Sequence, residues 1–294
     1  EMGMSGYGEI EFLTKLARPH YTVITNIGEA HMRDLGSRAG IAKAKFEIVE
    51  GMLDGGKLFY DGDEPLLREL VAQHPELSAI AFGFEENNDL IASDIITSEN
   101  GSTFMVNGLL TGEYFISVLG KHQVKNTLNA MLISQALGLN EEQIRTALRQ
   151  VVLTDMRMQQ LPGVNGSLFI NDAYNAAPTS MNAAIEFMKQ TTMRSRKWLV
   201  LGDMLELGED EQLFHEQIAD VIDAEAIEKV MLYGPRMKWL YDRLIAHYDP
   251  ANLVYSAEAY EPLIEAVSMA DADTIVLYKG SRGMKLETII TASK

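Results

Sequence analysis

Apolar and polar positions along the chain fall into two alternating kinds of run. Tyr21 to Ile27, Lys57 to Tyr60 and Ala79 to Phe82 are short, β-branched or aromatic, and read as strands. Between them, Ile41 to Met52 and Pro65 to Gln73 place apolar residues at helical spacing. Strand and helix in alternation predict βαβ units and a mostly parallel sheet. The pattern then changes: Leu90 to Thr97, Ser102 to Asn107 and Glu113 to Leu119 follow one another through Gly and Asn turns, which predicts a small antiparallel patch. Helices are expected over Gln123 to Leu137 and Glu141 to Val151. The alternation restarts with strands at Ser167 to Asn171, Lys197 to Leu201, Lys229 to Tyr233, Leu253 to Tyr255 and Thr274 to Tyr278. That second series predicts a doubly wound, Rossmann-like α/β domain of its own. The restart puts a boundary near Leu153, dividing the chain into 1–153 and 154–294.

Composition narrows the functional classes. At 294 residues and 47% hydrophobic, the chain is long and apolar enough for two cored domains. The absence of cysteine removes disulfides, zinc-thiolate centres and cysteine nucleophiles. A formal charge of −17 opposes broad contact with nucleic-acid phosphates. No apolar run approaches the roughly 20 residues of a membrane span, and no signal peptide is visible. The expectation is a cytoplasmic monomer that engages neither nucleic acid nor membrane. The chain opens on Glu1 rather than Met and runs directly into Gly3, Gly6 and Gly8, which reads as the middle of a longer protein.

In open α/β sheets ligands collect beyond the C-terminal ends of strands. That rule selects Asn26 and His31, then Asp172 and Tyr174, then Asp203 and Glu206, then Lys279, Ser281 and Arg282. Any one alone is as readily an ordinary loop residue; four polar strand ends together point towards sites. Lys45 shares a helical stripe with Ile41, Ile48 and Met52, so its side chain is directed inward. Two readings stay open for it: a snorkelling lysine with its ammonium in water, or a desolvated one that deprotonates easily. His31 lies two residues from Glu29, and Glu1 is a further carboxylate that a hard cation would accept. The run Gly280-Ser-Arg-Gly283 is expected to open the last helix and offer backbone N–H groups to an anion. There is no G-x-x-x-x-G-K-[ST] phosphate loop, so these residues alone do not define an ATPase.

Seven segments occur in order that together resemble the Mur ligase family. They are Glu1-Met-Gly, Val23-Ile-Thr-Asn-Ile-Gly-Glu-Ala-His31, Ala42-Lys-Ala-Lys45, Gly120-Lys-His-Gln-Val-Lys-Asn126, Asp172-Ala-Tyr-Asn175, Leu201-Gly-Asp-Met-Leu-Glu-Leu-Gly208 and Lys279-Gly-Ser-Arg282. The fifth and sixth look like the D-alanyl-D-alanine-adding branch. The resemblance implies the second half of a central ATPase domain followed by the C-terminal ligase domain, without the UDP-substrate domain or phosphate loop. It implies ATP and magnesium as cofactors, UDP-muramoyl tripeptide and D-alanyl-D-alanine as substrates, and a role in peptidoglycan synthesis through an acyl phosphate. Glu1, His31 and Lys45 match metal ligands, Lys45 as a carbamylated lysine. His122 and Asn126 lie in the segment that holds adenine, Arg157 matches an arginine that approaches the phosphates, and Asp172 looks like the ribose-side or hinge contact, with the cofactor-side residues Tyr174 and Asn175 following in the same loop. Asp203, Lys279, Ser281 and Arg282 are expected near the incoming amino acid. Three positions depart from the family pattern: Gln123 and Ala177 stand where Asn is usual, and Leu286 where Met is common. The alternatives are another ATP-dependent amino-acid ligase of the superfamily, such as a diaminopimelate- or lysine-adding enzyme or a folylpolyglutamate synthase, or a non-catalytic nucleotide-binding module. On its own the chain is expected to bind ATP weakly and to be inactive.

Overall fold

The computed structural model describes residues 1–29, 32–152 and 154–293. The chain divides into two compact units, Glu1–Val152 and Leu153–Lys294, each with its own six-stranded sheet.

In the first unit the elements are α1 (Glu9–Ala17), β1 (Tyr21–Ile24), α2 (Met32–Leu35), α3 (Arg38–Phe46), β2 (Lys57–Asp61), α4 (Pro65–Ala72), β3 (Ala79–Gly83), β4 (Leu90–Ser98), β5 (Gly101–Gly108), β6 (Gly112–Ile116), α5 (Lys121–Ala136) and α6 (Glu141–Leu148). The strands lie in sequence order; the parallel β1 to β3 and the antiparallel β4 to β6 are as the hydrophobic pattern predicts, and a parallel β3–β4 pair joins them. Period-two alternation splits β2 between two cores. Leu58 and Tyr60 join Ile24, Ala81, Ile41, Phe46 and Leu67 beneath α3 and α4. On α5, Val124, Leu128, Met131 and Leu132 are buried, and that helix contacts β2, β3 and β4.

Three elements differ from expectation. The helix expected over 41–52 starts at Arg38, where the Ser37 hydroxyl caps the Gly40 amide, and tightens into a 3-10 turn at Glu47–Val49. The cause is α1, which the sequence pattern did not reveal. Its Thr14 hydroxyl donates to the Ile48 carbonyl at 2.9 Å, and a Cβ on Gly51 would lie 2.3 Å from the Lys15 nitrogen. Only glycine lets the chain pass this close. The strand expected over 21–27 ends at Ile24, and the Asn26 carbonyl beyond it is taken by Lys45 instead of a neighbouring strand.

The second unit contains β7 (Gln159–Pro162), β8 (Leu168–Asn171), α7 (Pro178–Gln190), β9 (Arg196–Gly202), α8 (Glu211–Gln217), β10 (Lys229–Tyr233), α9 (Met237–Leu244), β11 (Leu253–Ser256), α10 (Glu261–Val267), β12 (Thr274–Lys279) and α11 (Glu287–Ala292). Its order is β11-β10-β9-β12-β8-β7, parallel except for the β7–β8 edge pair. β7 was not expected, because Gln159-Gln-Leu-Pro162 has no β-branched residue; its proline is tolerated at a sheet edge. The chain steps outward from β8 through β9 and β10 to β11, then returns to insert β12 between β8 and β9. Trp198, Val200, Met231, Val276 and Tyr278 line the face covered by α10 and α11. Burying each such side chain contributes about 1.5–3 kcal/mol. The return also makes neighbours of the C-terminal ends of β8, β12 and β9, where Asp172, Lys279 and Asp203 lie.

Candidate active-site residues in each unit

The ends of β8 and β12 are joined by an ion pair shielded from water. Lys279 Nζ lies 2.6 Å from Asp172 Oδ2, with the two side chains 3% and 7% exposed. The same ammonium donates to the Asn175 carbonyl at 3.3 Å. The other carboxylate oxygen, Asp172 Oδ1, accepts from the Met158 amide at 3.1 Å. Around Met158 the backbone is unusual: Met156 and Met158 have φ of 65° and 49°, left-handed values for residues other than glycine. Each such residue costs about 1–2 kcal/mol, and the surroundings must hold it in place. Between them stands Arg157, exposed, with its guanidinium 4.3 Å from the ring centroid of Tyr174. The Tyr174 amide donates back to the Met156 carbonyl at 3.2 Å. Four residues assigned from resemblance (Arg157, Asp172, Tyr174 and Asn175) thus sit together, with Lys279 beneath them.

Asp203, after β9, is 1% exposed. Its Oδ1 accepts from the Met237 amide at 2.9 Å, at the start of α9, and Arg236 lies 3.7 Å from its Oδ2. Burial raises its carboxyl above the usual aspartate value, against the opposing hydrogen bonds from the Arg236 and Met237 amides. A Cβ on Gly234 would stand 2.4 Å from Asp203 Oδ1, and the φ of +115° there also requires glycine. Beside it His215 is wholly buried: Nε2 accepts from the Met204 amide at 3.0 Å, while Nδ1 is 2.6 Å from the Glu211 carbonyl. An accepting Nε2 and a donating Nδ1 define a neutral imidazole. Burial accordingly lowers its pKa below 6.5. Ser281 Oγ accepts from the Leu205 amide at 2.9 Å, tying the β12 loop to the β9 loop. The Asp203 carbonyl adds a second tie by accepting from the Ser281 amide at 3.0 Å, while its carboxylate is turned inward to Met237 and Arg236. Arg282 is exposed and pairs with Glu287 at 2.6 Å. The Gly280–Gly283 run forms a 3-10 turn over Arg282–Met284 instead of opening α11 directly, because Lys285 turns left-handed at φ 47°.

In the first unit Lys45 is half-buried on α3. Its ammonium donates to the Asn26 carbonyl at 3.0 Å and pairs with no carboxylate among the described residues. Burial pushes it below the usual lysine value. Glu1 is exposed, two residues from Gly3 and adjacent to Met2, which packs on the cluster containing Ile27 and Ile41. His31 lies outside the described residues. The loop before it is anchored: Arg38 donates to the Ile27 carbonyl at 2.9 Å and pairs with Glu64 at 2.5 Å and Glu29 at 3.8 Å. Among the described residues no three His, Asp or Glu side chains cluster as a metal site. A bare ammonium cannot ligate a cation, so Lys45 fits the magnesium donor set only with an anionic group attached; its burial without a counter-ion suits that change.

His122 and Asn126 open α5. Gly120 takes φ +96°, and a Cβ there would be 2.8 Å from the His122 ring. Asn126 is exposed and donates to Gln123 at 3.4 Å. Lys125 was missed. Its ammonium lies 2.9 Å from Asp61 and 2.7 Å from Asp63, beyond β2. Burial alone would lower the Lys125 pKa, but the bonds and charges of Asp63 and Asp61 outweigh it and raise it. Asp63 also accepts from the Phe84 and Glu85 amides and from Asn88. The strand-end rule applied to Asp61 and Asp63, right after the strand expected to end at Tyr60, would have found this cluster.

Comparisons with known proteins identify the family. The Mur ligase middle domain matches residues 1–134, and the Mur ligase glutamate ligase domain matches residues 156–282. The chain belongs to the Mur ligase family. It is 40% identical over 290 residues to the UDP-N-acetylmuramoyl-tripeptide–D-alanyl-D-alanine ligase of Bacillus subtilis, covering 99% of this chain and 62% of that protein. A solved MurF structure from Acinetobacter baumannii superposes with a TM-score of 0.85 at 26% identity, covering 98% of this chain and 62% of its own. The MurF ligase of Thermotoga maritima, solved with ADP, shares the fold with a TM-score of 0.87 at 23% identity, covering 99% of this chain and 65% of its own. The chain thus spans a little over three-fifths of the length of these relatives. No helix among the described residues is long and apolar enough to cross a membrane.

Proposed function

We propose that the chain is the part of an ATP-dependent ligase that handles nucleotide and amino acid, in an enzyme joining D-alanyl-D-alanine to UDP-muramoyl tripeptide for peptidoglycan synthesis. The observation that carries this is 40% identity running through 99% of the chain to a ligase of that name. The side-chain arrangement supports it. Phosphoryl transfer needs cations and oriented donors, and the second unit presents Arg157 on a braced arch above a buried Lys279–Asp172 pair. In this reading the terminal carboxylate of the tripeptide takes the γ-phosphoryl group of ATP, releasing ADP. The amine of D-alanyl-D-alanine then attacks the acyl phosphate, and the amide forms with loss of phosphate and a proton.

Within that scheme Arg157 meets phosphate charge, while Tyr174, Asn175 and Asp172 form the ribose-side loop. His122 and Asn126 are assigned to adenine, and Ser281 and Arg282 to the incoming amino acid, with Asp203 holding their loop. Glu1, His31 and a carbamylated Lys45 would hold magnesium, which when bound neutralises phosphate charge and keeps oxygens in line. What supports this role for Lys45 is that its amine is buried with no anion beside it among the described residues, and the neutral amine is the form that captures carbon dioxide. The enzyme works in the cytoplasm as a monomer. The test is ligation by the full-length protein with ATP and UDP-muramoyl tripeptide, offering D-alanyl-D-alanine against single amino acids. Preference for the dipeptide is the expected result; preference for a single amino acid on a shorter muramoyl acceptor would overturn the assignment.

A further inference from the structure

We propose that Lys279 is a positioning residue for Arg157, acting through Asp172 and the Met158 amide, and does not touch the incoming amino acid. The inference rests on the reading above only in taking Arg157 as the group that meets phosphate. Its structural part stands on contacts within the second unit.

The arch from Met156 to Met158 puts two left-handed residues on either side of Arg157. Such a turn relaxes unless its backbone groups are held. Three ties hold it: the Met158 amide on Asp172 Oδ1, the Tyr174 amide on the Met156 carbonyl, and the Met156 amide on Gln159 Oε1 at 3.2 Å. The first is a charge-assisted bond, and its direction depends on the Asp172 carboxylate being fixed. Lys279 fixes it by holding Oδ2 at 2.6 Å, and is itself oriented by the Asn175 carbonyl. Both Asp172 oxygens are therefore used inside the protein. The Lys279 side chain is 3% exposed, which shields it from an arriving amino acid. Met158 is buried and Met156 half-buried, so with its base pinned the arch turns Arg157 outward onto the face of Tyr174.

Lys279→Met in the full-length enzyme tests this by amide hydrogen exchange and by kinetics. Exchange at the Met158 amide should rise about tenfold or more, as expected for a local opening, with the strands of the same sheet unchanged. At saturating ATP, kcat should fall about tenfold to a hundredfold while KM for D-alanyl-D-alanine moves by less than about twofold. Because Lys279→Met leaves Asp172 unpaired, the double variant Asp172→Asn with Lys279→Met is measured beside it. That variant removes both charges, and its Met158 exchange should also be raised once thermal melting shows it folded. Unchanged Met158 exchange in both variants overturns the proposal, as does a rise confined to KM for D-alanyl-D-alanine. Raised Met158 exchange with unaltered kinetics supports the positioning of the arch and removes Arg157 from the phosphate role proposed above.

Discussion

Two lysines, one in each unit, show how a partner decides what burial does. Lys279 is almost wholly enclosed and has Asp172 at 2.6 Å; Lys45 is less enclosed and, among the described residues, bonds to the Asn26 carbonyl at 3.0 Å and to no carboxylate. An isolated ammonium out of water is penalised, and a carbonyl dipole offsets little of that cost. Burial accordingly lowers the Lys45 pKa. Lys125, partly buried and flanked by two carboxylates, goes the other way: burial alone would lower its pKa, but Asp63 and Asp61 raise it. The proposal that Lys45 carries a carbamate gives the two lysines different work: Lys279, with its anion, holds structure, and Lys45 serves the reaction. Removing partners should therefore cost stability at Lys279 and Lys125, and activity at Lys45.

The largest effect is expected from Asp172→Ala, which strands the Lys279 charge inside the second unit. Breaking a buried pair from one side costs about 3–5 kcal/mol, read as a lower urea midpoint for that unit's transition. A change under about 1 kcal/mol would mean that water reaches Lys279 freely. Next is Lys45→Ala in the full-length enzyme. Activity should drop about a hundredfold, equivalent to about 2.7 kcal/mol of barrier, with partial recovery on adding a small carboxylate. Near-normal unrescued activity would return Lys45 to a snorkelling helix lysine. Lys125→Met should cost less, about 2 kcal/mol in chemical denaturation, because its partners keep some water and Asp63 retains its backbone donors. The smallest effect is a pH slope from His215. Its folded pKa lies below the ordinary 6.5 because it is buried. Its contribution is therefore complete above that value and is lost as pH falls below it, where the unfolded chain takes up a proton that the folded one refuses. The slope is at most about 1.4 kcal/mol per pH unit. Comparing denaturation at pH 7 and pH 5.5 in wild type and His215→Gln should show the slope reduced in the variant.

The parallel sheets were legible because their strands are buried on both faces and read as unbroken apolar runs, as in Trp198-Leu-Val-Leu201. The antiparallel β4 to β6 were legible from their Gly and Asn turns. α1 was hidden because Phe12 and Leu16 are exposed at 68% and 74% while polar Thr14 is buried, which scrambles the amphipathic signal. The strand-end rule found Asp172, Asp203 and Lys279, but it could not tell a residue facing a ligand from one facing inward. That distinction belongs to tertiary partners such as Met158 and Met237. Nothing local marks Met156 and Met158 as left-handed either. Their conformation is imposed by Asp172 and Tyr174, more than a dozen residues further along the chain.

The contrast between the lysines is tested most directly by carbon-13 NMR of the full-length enzyme equilibrated with labelled bicarbonate and magnesium. A carbamate resonance that is absent from Lys45→Ala and retained in Lys279→Met is the predicted result. No such resonance, or one that survives Lys45→Ala, would contradict the claim that the unpartnered buried lysine acquires its own anion.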